Sequence, residues 1–380
     1  MKKFQLGKRS HTFLIGALAF AAPGMQILAQ DAADSTTAAA PVSTATAVEE
    51  SVVTEAASEA ASRAAFQAWL AEFRTEALGK GISAATLDAI IPTIEEQRRV
   101  IETDRNQAEF VETYASYLER VSPRRIEMGR QLFAEQGEMI TAAAEAHGVQ
   151  PRFVAAVLGM ESNYGTFPIT EPLFNVIATL AYDSRRGDLF RTQLLAAFEI
   201  VDKGFATPEM MKSSWAGALG APQFMPDSYL RLAVDQDGDG KRDLWNMGPD
   251  VIGSVANYLK STGWEDSQTW GRVVSLPPGG EQSLPAPQST GIPLDATCRR
   301  YETMGVWRNL QDWQELGVRK ADGSDLPTRS IQAALIIGDE GDDKGYLVYR
   351  NFCSLLRYNP SFKYALGVSL LSDAIAGIED

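Results

Sequence analysis

Histidine is nearly absent from this sequence of 380 residues, and its scarcity excludes several kinds of active site. Of the two histidines, His11 lies in a segment that we expect to be removed, which leaves His147. A histidine-rich zinc site is therefore excluded, and a Ser-His-Asp triad would have to use His147. Because His147 precedes Gly148 where a helix should end, we predict a capping role for it. We expect carboxylates and hydroxyl groups to carry the chemistry.

Cysteine is as scarce as histidine. Cys298 and Cys353 are the two cysteines of the chain, and neither belongs to a Cys-x-x-Cys motif. In an oxidising compartment they could form a disulfide, which would add roughly 4 kcal/mol of stability in the loop-closure model. The alternative is two buried free thiols, and the sequence alone leaves both open.

Basic residues and long apolar runs are also in short supply. The chain has 35 basic against 49 acidic residues, and loss of the first thirty residues would leave 31 against 49, a net charge of −18. Phosphate contacts require basic patches, so no nucleic-acid partner is expected. Such a chain favours a partner that is recognised by shape and by neutral hydrogen bonds. Beyond residue 30, no segment approaches the ~20 apolar residues of a membrane span.

The first thirty residues are organised like a secretory signal peptide. A basic start precedes the apolar run of residues 13–22, and cleavage is expected near Ala29 or Gln30. No cysteine lies near that junction, so we expect no lipid anchor. Residues 31–62 are rich in small residues and lack aromatic side chains, which predicts a disordered tether. The expected mature protein is exported, soluble and periplasmic.

The spacing of apolar residues predicts a mainly α-helical fold. Residues 63–270 have a helical pattern, which a loop rich in glycine and proline interrupts at 217–229. Capping residues and prolines mark several helix starts. The predicted starts are Ser83, Ser122-Pro123, Gln150-Pro151 and Pro249.

A small β-containing subdomain is predicted after residue 270. Short β-type runs occur at 273–276 and 346–349, inside a mixed segment of residues 271–350 that is rich in proline and glycine. Residues 351–380 are predicted to form C-terminal helices that return to the core, and the last of these spans about 361–377.

Glu161 is the most informative single residue. It ends the apolar run 153–160, and a helix that begins at Pro151 would place it on a buried stripe. The other residues of that stripe are Val154, Val157 and Leu158. Desolvation and the negative helix end would both raise the pKa of Glu161, as a general acid requires. The alternative is a structural glutamate at a helix end.

A second informative segment spans residues 213–229. Its small residues and glycines allow close approach of a ligand to the backbone, and Ser214 offers a hydrogen-bonding hydroxyl. Gln223 lies between Pro222 and Phe224, so its amide needs a partner in an apolar setting. A sugar hydroxyl or N-acetyl group would suit. The alternative is an amide that bridges two loops.

A third segment, residues 235–246, matches the start of an EF-hand calcium loop. Aspartates occupy positions 1, 3, 5 and 9 and glycine occupies position 6, whereas Asn246 replaces the glutamate of position 12. Asp250 could supply that missing carboxylate. Clustered carboxylates repel one another without a cation, so we predict calcium, in a stabilising role. An exposed acidic turn is the alternative.

Together these segments resemble the lytic murein transglycosylase B family. The resemblance rests on Glu-Ser-Asn-Tyr-Gly at 161–165, on the run 216–226, on the calcium-type loop leading into 253–258, and on 357–365. It covers about residues 66–377, in the same order and with similar spacing. It implies a goose-type, lysozyme-like catalytic core, flanked by a helical N-terminal domain and a small β-containing subdomain.

The resemblance also implies a function and a set of site residues. The implied activity is cleavage of peptidoglycan glycan strands with formation of 1,6-anhydromuramyl ends, and Glu161 is the implied acid. Substrate-lining roles fall on Ser214, Gln223, Tyr258, Tyr358, Asn359, Tyr364, Arg185 and Arg186. Calcium ligation falls on Asp235, Asp237, Asp239, the Lys241 carbonyl and Asp250.

Two departures and two alternatives accompany the resemblance. The familiar member of the family is a lipoprotein, and the calcium loop here has one extra residue before Asp250. A lysozyme-type hydrolase and a non-catalytic peptidoglycan-binding protein are the alternative functions. Proteins of cell-wall synthesis or turnover are further candidate partners.

Overall fold

The computed structural model describes residues 45–105, 112–183, 185–285, 294–339 and 344–378. Within these ranges the chain forms thirteen α-helices. They are α1 Ala45–Gly79, α2 Ala84–Ile90, α3 Arg98–Arg105, α4 Tyr114–Leu118, α5 Pro123–Ala146, α6 Pro151–Ser162, α7 Leu173–Tyr182, α8 Gly187–Asp202, α9 Pro226–Leu232, α10 Pro249–Ser261, α11 Leu310–Glu315, α12 Arg350–Tyr358 and α13 Phe362–Ala376. The predicted signal peptide lies outside the described residues. None of the described helices is long and apolar enough to span a membrane.

The predicted helix starts are confirmed, because the caps that predict them are formed. The Ser83 hydroxyl accepts a hydrogen bond from the Thr86 N–H, and Ser122 caps α5 in the same way. Proline occupies the first turn of α5, α6 and α10, where its missing N–H leaves no carbonyl unsatisfied. The loop predicted over 217–229 ends earlier than expected, since Pro226 starts α9.

The tether predicted over 31–62 is wrong for its second half, because α1 begins at Ala45. Residues 58–61 are exposed on this helix, so packing does not hold it there. Alanine and glutamate are strong helix formers, and a helix anchored at the buried Phe66 extends by one hydrogen bond for each added residue. The absence of aromatic residues therefore indicates that this segment does not join a hydrophobic core, but it does not exclude a helix. Residues 31–44 lie outside the described residues.

Two packed clusters form the helical part of the molecule. In one, α7 and α8 pack against α1 and α2, with Phe66, Phe73 and Phe198 among the buried side chains. In the other, α6 is enclosed by α5, α10 and α13. Because residues 153–162 of α6 are all buried, this helix is apolar around its whole circumference rather than along one stripe.

Seven strands form two sheets in the described chain, and the larger sheet is the predicted β-containing subdomain. A short hairpin pairs β1 Glu171–Pro172 with β2 Lys212–Ser213. The remaining strands are β3 Gly271–Ser275, β4 Trp307–Asn309, β5 Arg319–Lys320, β6 Gln332–Ile337 and β7 Lys344–Val348. They form an antiparallel sheet in the order β4-β6-β7-β3-β5. The two predicted β-type runs pair directly with each other as β3 and β7.

The sheet is tied to the helical core at two points. The structure pairs Cys298 with Cys353 in a disulfide with a Cα–Cα distance of 5.2 Å, so the segment before β4 is bonded to α12. Trp270, at the start of β3, is fully buried and donates a hydrogen bond to Asp373 of α13 at 2.6 Å. The mainly α fold with a small sheet subdomain is therefore confirmed.

Candidate active site

Glu161 lies in the last turn of α6 and its side chain is buried, with 3% of the residue exposed. The helix ends directly after it because Asn163 and Tyr164 adopt left-handed backbone conformations, with φ of 49° and 58°. The Asn163 amide donates to Thr166 at 2.8 Å, and the Tyr164 hydroxyl donates to the Arg125 carbonyl at 2.9 Å. These bonds fix the turn that leaves Glu161 at the buried end of its helix, as predicted.

Three tyrosines from three helices gather around Glu161. Tyr258 comes from α10, Tyr358 ends α12, and Tyr364 lies in the first turn of α13. The ring centroids of Tyr258 and Tyr358 are 4.4 Å apart, and Tyr358 stacks with Tyr364 at 6.3 Å. Phe224 packs against Tyr258 and Tyr358 at 5.4 and 6.0 Å. The four rings form a continuous aromatic group, which we call the tyrosine wall.

The electrostatics of the tyrosine wall locate it beside the Glu161 carboxylate. Burial raises the pKa of Tyr258 to about 12 and raises the pKa of Tyr358 and of Tyr364 well above the ordinary value. The charge of Glu161 raises all three pKa values further. All three phenols are therefore neutral at physiological pH and lie within electrostatic reach of one carboxylate.

Residues 213–225, which we call the substrate loop, form a compact double turn. Leu219 pairs with both Ser213 and Phe224 through isolated β-bridges. Gln223 has a φ of 52°, and its amide nitrogen donates to the Gly220 carbonyl at 2.9 Å. Asn163, Tyr164 and Gln223 are the non-glycine residues with positive φ in the described chain. Backbone conformations that side chains disfavour thus occur on both sides of the candidate site.

The substrate loop contributes Phe224 to the tyrosine wall, and a direct hydrogen bond adds a second connection. The Tyr358 hydroxyl donates to the Pro222 carbonyl at 2.6 Å, which holds Gln223 next to the wall. The Tyr258 hydroxyl donates to the Arg357 carbonyl at 2.9 Å. The structure therefore places Gln223 beside the tyrosines that surround Glu161, and the role of Gln223 and the tyrosines toward substrate stays a prediction.

Two of the expected substrate-lining residues are engaged by the protein itself. Ser214 is 1% exposed, and its hydroxyl accepts a hydrogen bond from the Ala218 N–H at 3.2 Å. Asn359 is 2% exposed, and its side-chain oxygen accepts one from the Ser361 N–H at 3.0 Å. These contacts shape the substrate loop and the start of α13. A direct role for either residue toward substrate stays a prediction.

The two arginines that were expected to line the site occupy a different environment. Arg185 and Arg186 precede α8, and both form ion pairs with the buried carboxylate of Asp104 on α3. The Arg186 guanidinium also lies over the Phe190 ring at 5.1 Å. A buried carboxylate needs such compensation, which accounts for the pair structurally. The described contacts do not join either arginine to Glu161, and their substrate role stays a prediction.

The other buried carboxylates of the described chain have structural partners. Asp373 forms an ion pair with Arg152, and Asp104 has the two arginines described above. Asp250 accepts hydrogen bonds from two backbone N–H groups of the calcium-type loop. One further carboxylate, that of Asp227, contributes to the raised pKa of Tyr258. It is paired with Arg231 at 3.3 Å on the solvent-exposed side of α9.

The calcium-type loop has the geometry of a cation site. Carboxylate oxygens of Asp235, Asp237, Asp239 and Asp250 all lie within 4.8 Å of one another. Asp235 accepts hydrogen bonds from the Gly238 and Gly240 N–H groups, as expected for a loop that wraps around an ion. Burial, with the charges of Asp237 and Asp235, raises the pKa of Asp250. A divalent cation would offset that repulsion, so the residues fit calcium.

The aspartate at position 9 of the loop has another role. Asp243 accepts hydrogen bonds from the N–H groups of Trp245 and Asn246, at 2.9 and 3.1 Å, and it is not part of the carboxylate cluster. The fourth carboxylate of the cluster is that of Asp250, in the first turn of α10. The Lys241 N–H donates to Asp239 at 2.8 Å, which keeps that peptide in the loop, and ligation by its carbonyl stays a prediction.

Tyr117 is a component of the site that was not predicted. It lies on α4, it is 9% exposed, and its proximity to Tyr364 contributes to the raised pKa of that residue. The Arg120 guanidinium lies over its ring at 4.2 Å. Its spacing of three residues from Tyr114, on one face of a short helix, is the sequence signal that marks it.

The sequence matches the family described as the transglycosylase SLT domain over residues 65–373. The chain therefore belongs to this family of SLT-domain transglycosylases. One relative is membrane-bound lytic murein transglycosylase B of Escherichia coli (strain K12), with 30% identity over 258 residues. The alignment covers 67% of this chain and 65% of that relative, slightly less than two thirds of its length.

The chain is also similar to solved structures of lytic transglycosylases. SltB3 from Pseudomonas aeruginosa, crystallised in complex with NAG-anhNAM-pentapeptide, is 37% identical with a TM-score of 0.73, over 82% of this chain and 80% of that one. The Escherichia coli lytic transglycosylase Slt35, crystallised in complex with calcium, is 26% identical with a TM-score of 0.64. That match covers 81% of this chain and 92% of the other.

Proposed function

We propose that this protein is a lytic transglycosylase of peptidoglycan. It cleaves the β-1,4 bond between N-acetylmuramic acid and N-acetylglucosamine and leaves 1,6-anhydromuramyl ends. The observation that carries this proposal is the position of Glu161, a buried carboxyl group beside three neutral tyrosines whose pKa values it raises. Family membership supports it, as does the relative that binds an anhydromuramyl peptide.

Glu161 acts first as an acid and then as a base. It donates its proton to the glycosidic oxygen, and the bond from that oxygen to C1 of the muramyl residue breaks. The positive charge that develops at C1 is assisted by the neighbouring N-acetyl group. The C6 hydroxyl of the same sugar then attacks C1, and its proton passes to the Glu161 carboxylate. The enzyme returns to its starting state without consuming water.

The surroundings of Glu161 suit these two proton transfers. The Tyr364 hydroxyl lies close enough to Glu161 for the carboxylate to raise its pKa, and in this proposal it donates a hydrogen bond to the carboxylate that exists between the two steps. Tyr258 and Tyr358 exclude water and offer ring surfaces to a sugar. Gln223 is held beside Tyr358 for hydrogen bonding to the substrate. The attack is intramolecular, so proximity supplies a large part of the acceleration.

Hydrolysis is the nearest alternative, and in its commonest form it uses a second carboxylate. Classical glycosidases place two carboxyl groups about 5 Å apart, or roughly 6.5–9.5 Å apart, around the scissile bond. The other buried carboxylates of the described chain are structurally engaged, and Asp227 is paired on an exposed helix face. A nucleophile from the substrate itself is therefore the better match to this site.

We also propose a calcium ion in the loop of residues 235–250. The carboxylates of Asp235, Asp237, Asp239 and Asp250, with the Lys241 carbonyl, would hold it. Bound calcium would neutralise the clustered charge and fix the loop, and it takes no part in the proton transfers. The calcium complex of Slt35 supports this assignment.

The substrate class implies a location and partners. We propose that the protein acts in the periplasm, where peptidoglycan is found, after export by the predicted signal peptide. Glycan strands are the expected partner, and proteins of wall synthesis or turnover are further candidates. Cell fractionation with and without residues 1–30 tests the location: the truncated chain should stay in the cytoplasm.

The decisive experiment compares Glu161→Gln with Glu199→Gln on purified sacculi. Glu199 is an exposed, salt-bridged residue of α8, so its variant controls for the loss of one carboxylate. We expect Glu161→Gln to release no muropeptides while keeping its fold, and Glu199→Gln to match the parent protein. Mass spectrometry of the products should find anhydro ends.

Other outcomes separate the alternatives. Products with reducing ends would mean a hydrolase. Tight binding of sacculi with no release by the parent protein would mean a non-catalytic wall-binding protein. Substantial turnover by Glu161→Gln would refute the assignment of the acid.

A further inference from the structure

The second half of the calcium-type loop is bonded directly to the substrate loop. The Ala221 N–H donates to the Leu244 carbonyl at 2.8 Å, and Leu244 is completely buried. Leu244 therefore lies between a predicted calcium site and the backbone that carries Gln223. Because the contact is a main-chain hydrogen bond between two loops, a displacement of one backbone either displaces the other or breaks the bond.

Gly220 shows how closely the two backbones approach. Its φ is +62°, and a Cβ atom placed on it would lie 2.1 Å from the Leu244 carbonyl oxygen. No side chain fits at this position, so both the conformation and the space require glycine. The Gly220 carbonyl also accepts the hydrogen bond from the Gln223 amide. A single residue thus contacts Leu244 on one side and orients Gln223 on the other.

The calcium side of the connection is equally direct. Asp250 accepts hydrogen bonds from the Asp243 N–H at 2.8 Å and from the Gln236 N–H at 2.7 Å. A predicted calcium ligand therefore holds the residue that immediately precedes Leu244. The path from Asp250 to Gln223 runs through three hydrogen bonds and two peptide units, Asp243–Leu244 and Gly220–Ala221. The one side chain of the substrate loop in this path is that of Gln223 itself.

A second contact connects the loops at their other end. The Trp245 indole N–H donates to the Lys212 carbonyl at 2.7 Å, directly before the substrate loop begins at Ser213. Leu244 and Trp245 thus contact the substrate loop near both of its ends. Consecutive residues of the calcium-type loop would move together if the loop relaxed.

We propose that calcium occupancy sets the position of the substrate loop, with Leu244 as the positioning residue, so that calcium and glycan bind with positive coupling. This inference rests on the proposed function. Without a cation, the four clustered carboxylates repel one another, and Asp250 no longer holds Asp243 in place. The Ala221–Leu244 bond then weakens and Gln223 loses its orientation.

Coupling of this kind is reciprocal, which makes it measurable from both directions. If calcium raises the affinity for glycan, glycan must raise the affinity for calcium by the same factor. Coupling between two sites typically amounts to a factor of 5–150, and we expect about tenfold here.

The first experiment measures the loop itself. Hydrogen exchange of the full chain, followed by mass spectrometry, reports the Ala221 amide, whose partner is the Leu244 carbonyl. We expect excess calcium to slow exchange in the peptide containing residues 215–224, relative to a chelator, whether or not substrate is present. Unchanged exchange in this peptide, with clear calcium binding by calorimetry, overturns the proposal and leaves the proposed function intact.

The second experiment measures coupling in the Glu161→Gln background, which prevents turnover. The dissociation constant of a disaccharide pentapeptide with an anhydromuramyl end is measured with calcium and with chelator. We expect it to be about tenfold lower with calcium, and the calcium constant to fall equally with glycan. Equal constants overturn the coupling. Absence of glycan binding in both conditions rejects the proposed function as well.

A matched pair of variants tests the path. Gly220→Ala places a Cβ against Leu244, whereas Gly204→Ala imposes the same backbone strain at φ +73° with nothing within 4 Å. We expect Gly204→Ala to keep the tenfold coupling and Gly220→Ala to lose it while still binding calcium. Trp245→Phe, which removes the indole N–H donor and keeps an aromatic side chain, is a milder second variant. We expect it to reduce the tenfold coupling factor to fivefold or less. Full coupling in both altered chains contradicts the path.

Discussion

Arg152 and Asp373 form a partly buried ion pair at the opposite ends of α6 and α13 from Glu161 and Tyr364. The two contacts are nine residues apart on each helix, as antiparallel packing of rigid helices requires. The second oxygen of Asp373 accepts the Trp270 indole N–H. The same ion pair therefore fixes the register of the helices that carry the acid and its tyrosine partner.

Breaking that pair should destabilise the protein strongly. In Asp373→Asn the partly buried Arg152 charge would lose its counter-ion, and we expect a cost of about 2–4 kcal/mol, somewhat below the range for a fully buried pair. The control is Asp88→Asn, which removes a surface ion pair with Arg74 and should cost less than about 1 kcal/mol. Urea unfolding followed by circular dichroism measures both. Equal losses would mean that the partly buried pair has no special role.

Tyr364→Phe removes the hydroxyl that we propose as a hydrogen-bond donor to the Glu161 carboxylate. A hydrogen bond to a charged group contributes about 1.5–3 kcal/mol, so turnover should fall roughly 10- to 100-fold with the fold unchanged. Tyr182→Phe, in the aromatic cluster with Phe66 and Trp69, is the matched control and should keep full activity. Initial rates of muropeptide release give the comparison. Full activity in Tyr364→Phe would remove this residue from the mechanism.

Stability should fall steeply at alkaline pH because of the tyrosine wall. The folded protein holds the pKa of Tyr258 at about 12 and the pKa values of Tyr358 and Tyr364 well above the ordinary value of 10. Their stabilising contribution is complete below pH ~10 and is lost as the pH rises through the folded-state pKa values, at about 1.4 kcal/mol per pH unit for each tyrosine.

Two measurements check the alkaline prediction. Absorbance at an ultraviolet wavelength specific for phenolate should show a group of tyrosines that ionise only together with unfolding. Above pH ~10, Tyr258→Phe should reduce the slope of the unfolding free energy against pH by the contribution of one tyrosine, about 1.4 kcal/mol per pH unit. Ionisation of all tyrosines before any loss of structure would contradict the buried wall.

Loss of the disulfide should lower the free energy of unfolding and leave the geometry of the candidate active site unchanged. The bond closes a loop of 55 residues, for which the loop-closure model gives about 4 kcal/mol. The double variant Cys298→Ala and Cys353→Ala should unfold at correspondingly lower urea concentration. Reductant should destabilise the parent protein by a similar amount and leave the double variant unaffected. If reductant left the urea unfolding of the parent protein unchanged, the prediction would be contradicted.

The parts of this molecule that the sequence predicts are those set by local signals. Caps at Ser83 and Ser122, and proline at the start of α6, determine helix starts without any distant partner. The buried end of α6 follows from its apolar run, and the acidic spacing of residues 235–239 brings carboxylates together within a single turn. These features depend on neighbours within about six residues.

The features that local sequence signals leave open depend on distant contacts. Arg185 pairs with Asp104, 81 residues away in the sequence, and no local pattern marks that partner. The tyrosine wall joins Tyr258 to Tyr358, and its contact with Glu161 exists because α6 and α13 pack side by side. Family resemblance, rather than periodicity, identified those tyrosines. Tyr117 escaped because its short helix joins the group through tertiary packing.

The complete enclosure of α6 determines where this protein can be altered. Residues 153–160 fill space on every side, so a larger side chain would be overpacked and a smaller one would leave a cavity. Directed evolution of sugar preference should therefore leave this helix untouched and diversify the half-buried positions around it, such as Gln223 and Trp215. The scaffold would keep its acid in place while its selectivity changed.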